Sequence, residues 1–273
     1  MKKIKKGRVF GDLYLAIVLA LLYLPILVII VFSFSGNSNF SFSHGLNFDA
    51  YSSIFTGSKS EKLLDAIKNT LILGGVSSVI STLLGAFSTI GIFYLKRRVK
   101  NVALTINQLP MINSEIVMAV ALMVFFTAFS TLFPQGWTRL IIGHVSFCTP
   151  YVVLSILPRL QKMDPNMYEA ALDLGANPIK ALFRVVFPYI MPGIVSGFVM
   201  AFTLSMDDFI ITQINKGETG IETLSTYIYE DARLKSLEPF WFAVFSIVFV
   251  VVLTLLLVAN LRKGKKEVAN ANA

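Results

Sequence analysis

Six long apolar runs alternate with polar segments along this chain. They lie near residues 13 to 34, 71 to 95, 112 to 133, 140 to 157, 190 to 214 and 240 to 261. A membrane-spanning helix needs about 20 mostly apolar residues, so runs of this length are candidates to cross a bilayer. The pattern predicts an all-α, polytopic membrane protein with six transmembrane helices. The ends are hardest to fix in the fourth run, which contains Pro150, and in the fifth, which contains two acids.

The composition agrees with a membrane protein. Of the 273 residues, 55% are hydrophobic and 15% are charged, and the mean hydropathy of +0.70 is too high for an ordinary soluble domain.

The first apolar run follows the basic sequence MKKIKKGR, as in a signal peptide, with Ser33-Phe34-Ser35 as a poor cleavage site. Because this run exceeds the roughly 7 to 15 apolar residues of a signal peptide, a retained anchor is favoured.

Basic residues are distributed unevenly between the two sides of the predicted membrane. With a cytoplasmic N-terminus, four inner segments hold 17 of the 24 lysines and arginines. These segments are 1 to 12, 96 to 101, 159 to 189 and 262 to 273. This positive-inside pattern predicts that both termini are cytoplasmic, and it explains the net charge of +8 without a nucleic acid partner. The chain thus divides into a basic N-terminus (1–12), a membrane domain (13–261) and a basic tail (262–273).

Two outer segments are too polar to span. The segment from Ser35 to Asn69 is expected to be a surface loop with a short helix. The segment from Asn215 to Pro239 has helical spacing, which suits either an interfacial helix that meets an external partner or a simple connector. The single cysteine, Cys148, lies inside the fourth run, so it forms no intrachain disulfide and is expected to be a small buried residue.

The inner segment from 159 to 189 carries the start and stop signals of two helices. Asp164-Pro165 is a helix cap followed by proline, Gly175 is a favoured helix terminator, and Asn177-Pro178 repeats the start signal. The predicted helices are 165 to 174 and 178 to 187. An isolated pattern of this kind also suits an amphipathic loop that rests on the membrane.

The same segment contains EAA, three residues, glycine, nine residues, an aliphatic residue, one residue, an apolar residue and proline. The matching residues are Glu169, Ala170, Ala171, Gly175, Val185, Phe187 and Pro188. The order resembles the EAA loop of bacterial ABC importer permeases, although that family usually has isoleucine and leucine where Val185 and Phe187 stand. The resemblance implies a type I importer permease fold in which this loop is a cytoplasmic coupling helix that seats in an ATPase. The coupling role transfers to Glu169, Ala170, Ala171, Gly175 and Pro188.

Three further segments resemble the permeases for spermidine and putrescine, and they look more like the second permease subunit of that subfamily. They are SEIVMAVALMVFF (114–126), HVSFCTPYVV (144–153) and AFTLSMDDFIITQ (201–213). The resemblance implies a bacterial inner membrane, a sister permease in a heterodimer, two ATPase subunits and an extracytoplasmic substrate-binding protein. The sequence has no G-x-x-x-x-G-K-[ST] phosphate loop. We therefore expect a transport subunit without catalytic residues or cofactor, driven by ATP hydrolysis on a partner.

Three carboxylates fall inside apolar runs. Glu115 is expected near the middle of the third run, and Asp207 and Asp208 are expected in the outer half of the fifth. A charge at such depth costs about 2.5 to 3.5 kcal/mol on insertion scales, so it usually faces a cavity, a partner or a pathway. On one continuous helix the two aspartates would point about 100° apart, so one is expected to line a substrate path and the other to cap or pair. A purely structural role for these acids stays open.

The neighbouring residues add weaker signals. Phe125, Phe126 and Phe209 could supply aromatic walls for a polyamine, but packing in the core or against lipid is the better expectation. Arg139 and Lys68 lie at the outer ends of runs, where their side chains can reach the interface. His144 lacks a metal ligand set, so a hydrogen-bonded helix histidine is expected instead of a metal site.

These features leave more than one transport function open. A polyamine permease subunit is the leading hypothesis, and an ABC permease for another cationic solute is the nearer alternative. An anion path would need basic groups or helix N-termini at mid-membrane, where this chain has acids. A gradient-driven transporter, in which the acids relay protons, is the alternative of a different class. A membrane enzyme is least supported, because no Ser-His-Asp set, metal cluster or phosphate loop occurs.

Overall fold

Every secondary-structure element in the described part of the computed structural model is helical. The description covers residues 6–35, 45–164, 166–235 and 238–271. The helices are α1 (Lys6–Phe32), α2 (Asp49–Thr56), α3 (Ser58–Tyr94), α4 (Arg97–Ile112), α5 (Glu115–Ala128), α6 (Trp137–Gln161), α7 (Asn166–Asp173), α8 (Pro178–Ala181), α9 (Phe187–Asp207), α10 (Ile210–Asn215), α11 (Leu224–Lys235) and α12 (Pro239–Ala271). The predicted all-α class is confirmed.

Four helical stretches within the described ranges are long and apolar enough to cross a membrane unaided. They are Gly11–Phe32, Lys59–Tyr94, Trp137–Gln161 and Pro178–Asp207. The pair α4 and α5 makes a fifth if the two helices are counted as one bent span. In α12 the apolar stretch Pro239–Thr254 is shorter. The described fold thus contains four to five candidate spans, against the six that the sequence predicts.

The third apolar run is not one straight span. The axes of α4 and α5 differ by 104°. Pro110 lies in the last turn of α4, where it removes a backbone donor, and Asn113 is extended with φ −70° and ψ 148°. Ser114 then caps α5 by accepting a hydrogen bond of 3.4 Å from the backbone N–H of Val117. A proline in the last turn of α4 and a capping serine at the start of α5, within five residues of each other, explain the break.

The fourth run forms a longer helix than predicted. α6 continues from Trp137 to Gln161 although it contains Pro150 and Pro158, as membrane helices often tolerate proline. Asn107 of α4 donates a hydrogen bond of 3.4 Å from Nδ2 to the carbonyl oxygen of Pro150. This contact ties α4 to the middle of α6.

Small residues bring α6 and α9 close together. Gly193, Gly197 and Ala201 recur every four residues along one face of α9, and all three are buried. A Cβ atom at Gly193 would lie 3.1 Å from the Cα of Ile156 on α6. Close approach through small residues is a common way for membrane helices to associate, because it maximises van der Waals contact. The core of this part of the chain lies along that contact and includes Ile156 and Ile190.

The chain divides into two compact units. One comprises Leu63–Tyr227, and the other comprises Met1–Lys62 with Ile228–Ala273. In the second of these, α12 packs against α1 and α2. The short helix expected between Ser35 and Asn69 is confirmed as α2, although residues 36–44 lie outside the described ranges. A helix in the second outer segment is confirmed as α11.

Candidate coupling segment and intramembrane carboxylates

The first helix of the segment from 159 to 189 has the predicted caps. Asp164 accepts a hydrogen bond of 2.9 Å at Oδ1 from the backbone N–H of Asn166, where α7 begins; Pro165 lies outside the described residues. At the other end, Ala176 N–H donates to the carbonyl of Ala171 over 3.1 Å, and Gly175 has φ +83°. This is the Schellman termination that favours glycine. The predicted start, stop and turn of this helix are confirmed.

The second predicted helix, 178 to 187, is not a separate element. Asn177 caps its start by accepting a hydrogen bond of 2.7 Å from Lys180 N–H, but the helix then continues from Pro178 to Asp207. Residues Leu182–Val186 form a π-helical turn. Pro188 has no N–H and its ring crowds the preceding turn, so a widened turn lets the helix pass through it without stopping. The prediction of a helix end near 187 was therefore wrong.

The surface around Gly175 is apolar and exposed. Leu174 is 88% exposed and Ile179 is 68% exposed, while Glu169 and Ala170 are exposed on α7. Pro188 is also exposed, and Ala171 is half-buried. Exposed apolar residues beside charged ones are typical of a surface that meets another protein or a membrane.

Buried residues of the same segment connect this surface to the core. Met163, Ala181 and Val186 are buried, and Met163 and Val186 belong to the core cluster that includes α6 and α9. Tyr189 also donates a hydrogen bond of 3.0 Å to the carbonyl oxygen of Lys162. A force applied to the exposed surface would therefore reach α6 and α9 directly.

Glu115 lies at the start of a helix. The prediction that it lies near the middle of a span was wrong. It is the first residue of α5 and is exposed. It borders a cavity of about 230 Å³ beside the break between α4 and α5. The other lining residues come from α4, α5, α6, α9, α10 and the break itself: Pro110, Met111, Asn113, Ser114, Met118, Phe147, Tyr151, Leu204 and Ile211.

The two adjacent aspartates do not lie on one continuous helix. α9 ends at Asp207, and Asp208 is extended with φ −62° and ψ 132°. Asp208 caps α10 by accepting hydrogen bonds at Oδ2 from Thr212 N–H over 2.9 Å and from Thr212 Oγ1 over 2.8 Å. Its side chain is 3% exposed, whereas Asp207 is exposed. The two residues thus divide into a buried cap and an accessible carboxylate.

His144 completes the buried network around Asp208. Its Nδ1 lies 2.6 Å from Ser205 Oγ, and its Nε2 lies 3.0 Å from Thr212 Oγ1 and 3.4 Å from Asp208 Oδ2. The prediction of a hydrogen-bonded histidine is confirmed. Sequence reasoning missed Ser205 and Thr212, and the only available signal was the cap spacing between Asp208 and Thr212. Across the described ranges, no three His, Cys, Asp or Glu side chains group to hold a metal ion.

The remaining side chains divide between core and surface. Arg139 does not reach outward as expected; it is buried, and its Nε donates a hydrogen bond of 2.9 Å to the carbonyl of Phe133. Lys68 is exposed. Phe126 is fully buried in a cluster with Phe125 and Phe133, so core packing is confirmed for it.

Sequence comparison relates the chain to transport proteins. Residues 81–267 match the model of the binding-protein-dependent transport system inner membrane component family. The spermidine/putrescine transport system permease protein PotC of Escherichia coli (strain K12) is 29% identical over 264 residues, which are 97% of each chain. The protein of the same name from Haemophilus influenzae is 28% identical over 204 residues, covering 75% of this chain and 77% of its own.

Solved structures share the fold. A bacterial ABC transporter that imports the acidic polysaccharide alginate contains a chain that matches with a TM-score of 0.64 and 21% identity, covering 93% of this chain and 94% of that one. An amino acid ABC transporter contains another, with a TM-score of 0.54 and 20% identity, covering 80% of this chain and 99% of that one. At these identities the likeness describes the architecture only.

Proposed function

This chain belongs to the binding-protein-dependent transport system inner membrane component family, and on that premise we propose that its cargo is a polyamine. It is a permease subunit of an ABC importer and a multi-pass protein of the inner membrane. As a transport subunit it performs no catalysis, because a separate ATPase hydrolyses the ATP and a binding protein delivers the cargo. Family membership therefore selects the importer over the gradient-driven transporter.

The observation that carries the polyamine proposal is an accessible carboxylate at each of two helix breaks. Glu115 lies at the break between α4 and α5, and Asp207 lies at the break between α9 and α10. Asp207 also stands at the C-terminal end of α9, where the helix dipole is negative and favours a cation. Interrupted membrane helices commonly provide such ion and substrate sites. Polyamine permeases are among the similar proteins, which supports the same cargo.

The cavity beside Glu115 suits one end of a polyamine. Its volume of about 230 Å³ is below the roughly 300 to 1,000 Å³ of pockets that enclose drug-sized ligands. Glu115 would receive a terminal ammonium, while Phe147 and Tyr151 offer aromatic surface to the ammonium and its methylene arm. The rest of a long polycation would extend from the cavity along the path, and Asp207 is our candidate for the next carboxylate.

The segment around Gly175 is the proposed contact with the ATPase. Glu169, Ala170, Ala171 and Gly175 would form the docking surface, and Pro188 would lie where the motion enters α9. Support comes from the exposed apolar surface and from the buried residues that fix it to α6 and α9.

The finer architecture is also a proposal. We place six spans in the membrane in the type I importer arrangement, with both termini and the coupling segment in the cytoplasm. The uneven distribution of basic residues supports that orientation. A sister permease would complete a heterodimer on two ATPase subunits.

Uptake of labelled spermidine tests the proposed cargo. Cells that contain the other subunits should accumulate spermidine only when this chain is present. Glu115→Gln and Asp207→Asn should each lower kcat/KM at least about tenfold, because a hydrogen bond to a charged group is worth about 1.5 to 3 kcal/mol. Glu218→Gln, which removes an exposed acid from the outer segment, is the matched control and should transport normally.

Two results would refute the cargo proposal. One is unchanged spermidine uptake without this chain, and the other is normal uptake by the double variant Glu115→Gln with Asp207→Asn. An ABC permease for another cationic solute is the second candidate, since the same acids would serve any organic cation. Competition by a panel of unlabelled amines and quaternary ammonium ions separates the two.

A further inference from the structure

A lysine ammonium is held between two carboxylates in the unit formed by residues 1–62 and 228–273. The Nζ of Lys59 lies 2.6 Å from Oδ2 of Asp231 and 2.8 Å from Oε2 of Glu238. Both distances fit charge-assisted hydrogen bonds. An ammonium has three N–H donors, so this arrangement satisfies two of them.

Aromatic side chains form the rest of the enclosure. The ring centroid of Phe240 lies 5.6 Å from the Lys59 Nζ, within the range of a cation–π interaction. The indole Nε1–H of Trp241 donates a hydrogen bond of 2.6 Å to Asp231 Oδ2. Trp241 is fully buried and Phe240 nearly so, which fixes Asp231 and the ring in position. We call Asp231, Glu238, Phe240 and Trp241 the ammonium cage.

Lys59 comes from a different part of the chain than the four residues of the ammonium cage. All four residues of the ammonium cage lie between positions 231 and 241. Lys59 lies at the start of α3, 172 and 179 positions away from the two acids. The Lys59 and Glu238 side chains are 21% and 33% exposed, which leaves the cage open to solvent on one side.

We propose that the ammonium cage is a primary-ammonium site that one end of a polyamine can take over when the Lys59 side chain leaves it. Two hydrogen-bonding carboxylates select an N–H cation, and the aromatic surface accepts the attached methylene groups. Recognition of an alkylammonium follows from the cage alone. Its use by cargo rests on the polyamine function proposed above. Lys59 then acts as an intramolecular competitor, which on a short tether has an effective concentration in the millimolar range.

The test is a titration of the full-length chain in lipid nanodiscs. Trp137→Phe leaves Trp241 as the single tryptophan of the two in the sequence, so the fluorescence reports the cage. Lys59→Met is added to empty the cage while keeping an unbranched apolar side chain. The probes are n-butylammonium chloride, which reproduces the lysine side chain, and spermidine, both at constant ionic strength.

We expect a saturable change in Trp241 emission in Lys59→Met with both probes, at concentrations at least about tenfold lower than with Lys59 present. Lys62→Met removes a neighbouring exposed lysine and should behave like the unsubstituted chain. Adding Asp231→Asn to Lys59→Met should abolish the saturable change. If the methionine variant does not fold, Lys59→Gln replaces it, because glutamine removes the competing ammonium charge while keeping an unbranched polar side chain, and the same saturable change is expected.

Equal half-saturation in Lys59→Met and Lys62→Met would overturn the proposal, and so would a signal that never saturates. Saturation by n-butylammonium with exclusion of spermidine would overturn its polyamine part. The titration involves no transport, so its failure is distinct from failure of the cargo proposal, which the uptake assay measures.

Discussion

Replacing Gly193 with leucine tests how closely α6 and α9 must approach. A Cβ atom at this position would lie 3.1 Å from the Cα of Ile156 and 3.2 Å from the carbonyl oxygen of Ser155. Both are backbone atoms, so a rotamer change cannot relieve the contact. Ordinary carbon contacts need about 3.5 Å or more, which already requires a shift of about 0.4 Å for alanine. The remaining leucine atoms require more.

The cost follows from overpacking. Forcing extra carbon atoms into a packed contact costs about 1 to 3 kcal/mol. Gly91 on α3 is the matched control, because nothing lies within 4 Å of its added Cβ. Replacing a helical glycine with leucine gains about 0.8 kcal/mol of helix propensity at either site. The difference between the two leucine variants therefore isolates the packing term, and we expect Gly193→Leu to melt at least about 2 °C below Gly91→Leu.

The chain contains its own probe for this measurement. Cys148 is the single cysteine, is buried, and lies with its Sγ 3.5 Å from the carbonyl oxygen of Ala201, between α6 and α9. A fluorogenic thiol reagent should label it at a lower temperature in Gly193→Leu than in Gly91→Leu. Identical labelling curves for the two variants would refute the packing argument.

Three further predictions concern the coupling segment and the aspartate cap. Glu169→Lys should leave the protein in the membrane but remove ATP-driven uptake, with Glu61→Lys as a control that transports normally. Gly175→Ala has room for its Cβ but is strained at φ +83°, so it should cost about 1 kcal/mol and reduce cargo-stimulated ATP hydrolysis; a variant with unchanged stimulation contradicts this. Asp208→Ala should lower the free energy of unfolding by about 0.5 to 2 kcal/mol through loss of the α10 cap, whereas Asp207→Ala should not change the melting temperature.

Local signals predicted the elements that depend on neighbouring residues. The caps at Asp164 and Gly175 fix α7 because each involves hydrogen bonds within a few positions, and the sequence displays both partners. Hydropathy likewise located α1 and α3, whose apolar runs exceed the length that a span needs. It also located α6, although the apolar run from 140 to 157 is shorter than the helix. These features require no knowledge of what else packs nearby.

Other features depend on competition between signals or on distant partners. The helix start predicted at Asn177 was correct. The helix end predicted near 187 was wrong, because the π-helical turn before Pro188 lets the helix continue through the proline. The sequence signals the helix break before Glu115 by a capping serine, Ser114. The apolar residues around it nevertheless favoured the prediction of one continuous span. The burial of Asp208 could not be predicted, since its partner His144 lies on another helix.

Because the helix from Pro178 to Asp207 is continuous, a rotation at one end displaces the other end. Thirty residues correspond to about 45 Å of helix. A tilt of about 10° around the Pro178 end displaces the Asp207 end sideways by about 8 Å, from the rise per residue alone. A displacement of this size exceeds the reach of a hydrogen bond more than twofold. A small rotation at the proposed ATPase contact would therefore suffice to release an ammonium held by the Asp207 carboxylate.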